Sequence, residues 1–137
     1  MPTMVEDKDA IREVMAEYCY HLDERRFDEM AGLFAEDGTW ETAFGTATGR
    51  ANIAALAASL GKPGEAPVRR VHYVTNIVIK LDGDRAGVRS NWVQIDNSAP
   101  GSGLGPKIGS GGGYVDTMVR QGGRWLFQHR KIDRFLV

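Results

Sequence analysis

A carboxylate that grips an imidazole makes a general base that works near neutral pH, and this chain carries the two groups in suggestive places. Asp23 closes the run Tyr18-Cys19-Tyr20-His21-Leu22-Asp23, at the end of an amphipathic segment. His72 opens Val71-His72-Tyr73-Val74-Thr75-Asn76, near the start of a long β-branched stretch. Asp23 stands at the wrong pole of a helix, where the macrodipole favours Lys or Arg. Its bland reading is a solvated carboxylate paired with Arg25 or Arg26; its functional reading is an inward-pointing partner of an imidazole. His72 is either a satisfied structural histidine or that imidazole. Arg130, between Phe127 and Ile132, is costly if buried alone, so it is exposed or matched to a carboxylate or a substrate oxygen.

Other chemistries fit less well. His21, His72 and His129 show no metal-binding spacing, so no metal site is expected. Cys19 lies mid-helix with no base beside it, Ser90 is in no nucleophile elbow, and no dinucleotide fingerprint occurs. Tyr18 and Trp40 read first as core aromatics.

The elements that must hold these residues follow from periodicity. Thr3 and Glu6 have capping-box spacing, and Ile11, Val14, Met15, Tyr18 and Leu22 form one apolar helical face. A second helix is predicted from Phe27 to Ala35, with a strand from Thr39 to Phe44 after Asp37-Gly38. A short alanine-rich helix, Ala51 to Leu60, ends at Gly61-Lys62-Pro63-Gly64. Strands then follow: Val68 to Leu81, Arg85 to Asp96, Gly113 to Arg120 and Arg124 to Phe135. Without a bulge, His72 shares a face with Val74, Asn76 and Val78, and Ile77 and Ile79 lie on the other. Asn97 to Gly113 holds 7 glycines in 17 residues, which reads as a hairpin loop or as a lid with Leu104 and Ile108 as its apolar contacts. Helices first and antiparallel strands after indicate a single α+β domain.

The net charge of −1 gives no reason to expect nucleic acid. The acidic N-terminus is unlike a signal peptide, and no apolar run approaches the ~20 residues that cross a bilayer. With one cysteine, the expectation is a cytoplasmic protein without membrane partners.

The chain resembles the SnoaL-like branch of the nuclear transport factor two-like superfamily. The resemblance rests on Glu17-Tyr18 to Asp23, Phe27 to Phe34, Glu36-Asp37-Gly38-Thr39-Trp40 and Gly49-Arg50. It continues through His72-Tyr73 to Asn76, Gly113-Tyr114-Val115-Asp116 and Gly123-Arg124-Trp125 to Arg130. It implies a cone-shaped α+β barrel: a curved, mostly antiparallel sheet wrapped around helices, with a deep apolar pocket. Asp23 and His72 fall where scytalone dehydratase, bile acid 7α-dehydratase and hexachlorocyclohexane dehydrochlorinase carry a catalytic dyad. Tyr18 resembles the bile acid enzyme's tyrosine, and Trp40 and Arg130 match the dehydrochlorinase. The second histidine of scytalone dehydratase has no counterpart in Arg89-Ser90-Asn91-Trp92.

The resemblance therefore implies a cofactor-independent lyase acting on an apolar cyclic small molecule. His72 would be the base and Asp23 its orienting partner, with Tyr18 and Arg130 serving the reacting oxygens. Met30, Phe34, Trp40, Val74 and Trp92 would be walls. A ketosteroid-isomerase-like or polyketide-cyclase-like isomerase, a non-catalytic small subunit and a plain ligand-binding module remain open. Curved sheets of this kind also imply a homo-oligomer, dimer or trimer, packed through outer-face residues such as Ile77 and Ile79.

Overall fold

The computed structural model describes residues 1–60 and 70–137. The expected helix end at 61–64 and the strand start at Val68 lie outside the described residues. Helix α1 (Met4–Asp23) begins as its sequence predicts: the Thr3 side chain accepts the Glu6 N–H, and the Glu6 carboxylate accepts that of Thr3. Its buried face is Ile11, Met15, Tyr18 and Cys19. Helix α2 is Phe27–Ala31 and α3 is Arg50–Ser59.

Six strands make one curved open sheet: β1 (Phe34–Thr42), β2 (Gly45–Thr48), β3 (Arg70–Asp82), β4 (Arg85–Asp96), β5 (Lys107–Gln121) and β6 (Arg124–Leu136). Their order is β2-β1-β6-β5-β4-β3, and all neighbours are antiparallel except β1 and β6. The core lies between the concave face and the helices.

Three expectations need correction, and each was overridden by tertiary pairing. The second helix stops at Ala31 rather than Ala35. Phe34 pairs with Phe127, whose N–H donates to the Leu33 carbonyl at 2.9 Å, so the sheet takes residues that local periodicity gives to a helix. Glycine at position 38 permits the register shift that follows, because a Cβ there would stand 2.9 Å from the Phe127 carbonyl oxygen.

The glycine-rich stretch is not wholly a loop. Strand β5 starts at Lys107 and runs through Gly113, where neighbours occupy the space side chains would need. A Cβ on Gly112 would meet the Asp133 carbonyl, and one on Gly111 the Leu136 side chain. Leu104 and Ile108, expected as lid contacts, are exposed.

Strand β3 carries a bulge at Thr75–Val78, with Asn76 in the left-handed region at φ 55°. His72 and Val74 face inward before it, and Ile77 and Ile79 face inward after it. Those two isoleucines therefore join the core rather than the outer face. Tyr73, Val78, Val115 and Phe135 are among the large apolar residues left exposed on the strands.

Candidate active site

The end of α1 and the start of β3 meet at Asp23 and His72. One Asp23 oxygen faces His72 Nδ1 at 2.5 Å, and the other accepts the His72 backbone N–H at 2.8 Å. Both side chains are largely but not fully enclosed, at 13% and 11% exposure. This double grip answers the helix-dipole objection: two hydrogen bonds from another element fix the carboxylate. Arg26 pairs with Glu24 at 3.0 Å instead, so the bland reading of Asp23 fails. With Asp23 ionised, the imidazole proton belongs on Nδ1, leaving a lone pair on Nε2, which has no partner among the described residues.

Trp92, on β4, backs the imidazole, with ring centroids 5.8 Å apart. Its indole N–H donates to the Asp133 carbonyl at 3.3 Å, and its other neighbour is the stacked Tyr114 ring at 5.9 Å. Val74, opposite Trp92 across the β3–β4 ladder, is half-buried on the same face. These two residues stand beside His72.

Deeper in, the residues split from the dyad. Arg130 is fully buried and answers its sequence puzzle with a carboxylate: Nε and Nη2 donate to Asp116 at 3.0 and 3.3 Å. The guanidinium also lies 3.6 Å from the Tyr114 ring centroid, 4.2 Å from Tyr18 and 4.4 Å from Phe127. Desolvation, the largest single influence, disfavours its charge, but Asp116 together with Tyr114, Tyr18 and Cys19 outweighs it, so the guanidinium stays protonated. Burial pushes the Asp116 carboxyl up to about 6, against the pull of Arg130. Tyr18 accepts the Trp40 indole N–H at 3.0 Å, and burial holds its phenol well above the ordinary range. Cys19 is likewise pushed by burial up to about 11 and is an inert thiol.

Tyr18, Met30, Phe34 and Arg130 are at 0% exposure and Trp40 at 1%. In this conformation Met30, Phe34 and Trp40 are packed core rather than walls. Tyr18 and Arg130 touch aromatic rings and Asp116 rather than open space. Sequence reasoning missed Asp116 and Tyr114; the available signal was that a buried arginine demands an anion on the neighbouring strand.

Two surface recesses lie away from the dyad. One is lined by Glu36, Asp37, Arg50 and Arg124, the other by Glu6, Asp7, Arg120 and Trp125. Among the described residues no three His, Cys, Asp or Glu side chains gather as a metal site, and no helix is long and apolar enough to cross a membrane.

The fold coincides with a family pattern. The chain belongs to the SnoaL-like domain family, whose model matches residues 3–131. Three solved structures are similar. A protein of unknown function from Mycobacterium tuberculosis is 28% identical with a TM-score of 0.81, over 96% of this chain and 73% of that one. A candidate scytalone dehydratase from Novosphingobium aromaticivorans is 29% identical with a TM-score of 0.77, over 95% and 85%. An NTF2-like protein with a cystatin-like fold from the same organism is 26% identical with a TM-score of 0.79, over 94% and 82%. Among curated proteins none matches the chain.

Proposed function

We propose that this chain is a cofactor-independent lyase that eliminates a leaving group from an apolar cyclic compound, with His72 as general base. The observation that carries the reading is the Asp23 carboxylate held on both the ring Nδ1 and the backbone N–H of His72. That arrangement leaves Nε2 as the acceptor and stabilises the imidazolium once it forms. The likeness to a candidate scytalone dehydratase supports the same reaction class.

In the reaction, Nε2 removes the proton from a carbon next to a carbonyl, and the C–H electron pair moves into an enolate. Collapse of the enolate forms the ring double bond and breaks the bond from the β-carbon to a hydroxyl group. The imidazolium returns its proton to the departing oxygen, releasing water and restoring the base. Asp23 stays ionised throughout. Val74 and Trp92 supply the apolar surface that excludes water. Tyr18 and Arg130, as buried groups, contribute electrostatically from beneath this surface; direct contact with a reacting oxygen requires the core to open.

Cyclic β-hydroxy ketones in D2O test this without knowledge of the physiological substrate. The wild-type protein is expected to exchange the α-proton for deuterium and to release the conjugated enone, followed by NMR and ultraviolet absorbance. His72→Gln and Asp23→Asn should lose both signals. Exchange without enone would favour the isomerase alternative, which uses the same base. Wild-type activity retained in His72→Gln would remove the base assignment.

A further inference from the structure

The register around the mouth of the concave face places His72 at one end of a row of paired residues. His72 lies opposite Gln94, and Gln94 lies opposite Ser110, so the three side chains share the inner face. Ser110 is 4% exposed, and its hydroxyl accepts the Arg134 Nε–H at 3.0 Å while bonding the Leu136 carbonyl at 3.2 Å. Arg134 thus continues the row onto β6, where Arg130 and Ile132 precede it on the same face. Its guanidinium also rests over the Phe44 ring at 5.1 Å.

Arg70, Gln94 and Asp96 on this rim are committed to one another. Arg70 Nε and Gln94 Nε2 both donate to Asp96, at 3.1 and 3.0 Å. Arg134 is held from two sides, yet its terminal nitrogens have no hydrogen-bond partner among the described residues. A guanidinium fixed by one nitrogen and an aromatic face presents a preorganised fork to a carboxylate. Below the row the inner face carries Val74 and Trp92, and at Gly112 the Asp133 carbonyl fills the place of a side chain.

We propose that Arg134 is the anchor for a carboxylate of the substrate, which makes the substrate class a fused-ring carboxylic acid rather than a neutral ring compound. The inference rests on the reading of His72 as base. From β3 to β6 is three strand spacings, ~14 Å along the sheet and less across its concave face. A two- or three-ring skeleton bridges that gap, with its C–H at His72 and its carboxylate at Arg134.

Anthracene-2-carboxylate and anthracene-2-carboxamide separate the charge from the ring system, with binding followed by NMR of the labelled protein. The wild-type protein is expected to bind the carboxylate at least ~10-fold more tightly, the scale of one charge-assisted bidentate contact. Arg134→Met should abolish that preference and leave amide binding unchanged, while Arg134→Lys should keep part of it. Equal affinities in the wild type, equal loss of both probes in Arg134→Met, or no binding of either probe at millimolar concentration would each overturn the anchor. His72 ring signals distinguish the two readings. A preference that depends on Arg134 without His72 shifts keeps the anchor and counts against the dyad as the ligand's neighbour. His72 shifts without a preference do the reverse.

Discussion

Asp23–His72 and Asp116–Arg130 each set a carboxylate against a nitrogen-bearing side chain of another element, yet their surroundings are opposite. The first joins a helix end to an edge strand, keeps about a tenth of each side chain exposed and leaves one ring nitrogen unpartnered. The second joins two central strands at 0% exposure, with three aromatic rings around the guanidinium. A pair that must exchange a proton with a substrate needs a free lone pair and a path to it. A pair that organises a core needs neither; here the Asp116 carboxylate and the surrounding ring faces offset the cost of desolvation, while Nη1 is left without a hydrogen-bond partner.

Removing one partner should expose this difference most strongly. Asp116→Ala leaves an uncompensated guanidinium among the aromatic rings and is expected to cost about 3–5 kcal/mol, measured by urea unfolding. A loss below about 1 kcal/mol would mean that the interior tolerates a lone charge. His72→Gln, in contrast, should lower kcat/KM by roughly 10²–10⁴-fold on whatever substrate the screen finds. Its melting temperature should stay within about 5 °C, because a change of about 1 kcal/mol shifts a domain of this size by only a few degrees. If it unfolds instead, His72 belongs with Arg130 as a structural residue.

Titration sharpens the contrast. Burial raises the Asp116 carboxyl from 3.8 to about 6, so the folded state binds its proton more tightly than the unfolded chain does. The stability this contributes is complete below the unfolded value and is lost as pH rises through about 6. The stability of the wild type relative to Asp116→Asn should therefore fall between pH 4 and pH 6.5. A difference that rises over this window would reverse the sign of the argument.

A smaller effect tests how the dyad is aimed. Asn76 holds a left-handed backbone at φ 55°. Asn76→Ala should cost about 1–2 kcal/mol, whereas Asn76→Gly should cost little or stabilise. Equal effects from the two would show that the backbone conformation is not what matters there. The smallest effect belongs to the outer face. If Tyr73, Val78 and Val115 pack between copies of the chain, Tyr73→Lys should lower the mass seen by light scattering and leave the deuterium-exchange activity of one subunit unchanged. A wild-type mass of 15.1 kDa at micromolar concentration would remove that idea.

Much of this was written in the local sequence. The capping box of α1, its apolar face, the two tight turns at Gly83 and Gly122-Gly123, and the helices-then-strands order all follow from short-range chemistry. So does the suspicion attached to Asp23, His72 and Arg130, because each breaks a rule that only a distant partner can repair. What the sequence could not set was register. Counted back from Asp82↔Arg85 with no bulge, His72 would face Ile95 and share the outer face with exposed Val78; the extra residue at Asn76 moves it opposite Gln94 and turns it toward Asp23. Counted from Gln121↔Arg124, Asp116 would face His129; the irregularity between Thr117 and Met118 sets it opposite Arg130 instead. A one-residue bulge is nearly silent in periodicity, since the strands on either side keep their alternation, yet it exchanges the faces of everything beyond it. Local chemistry therefore named the candidate groups, and long-range pairing decided which of them meet.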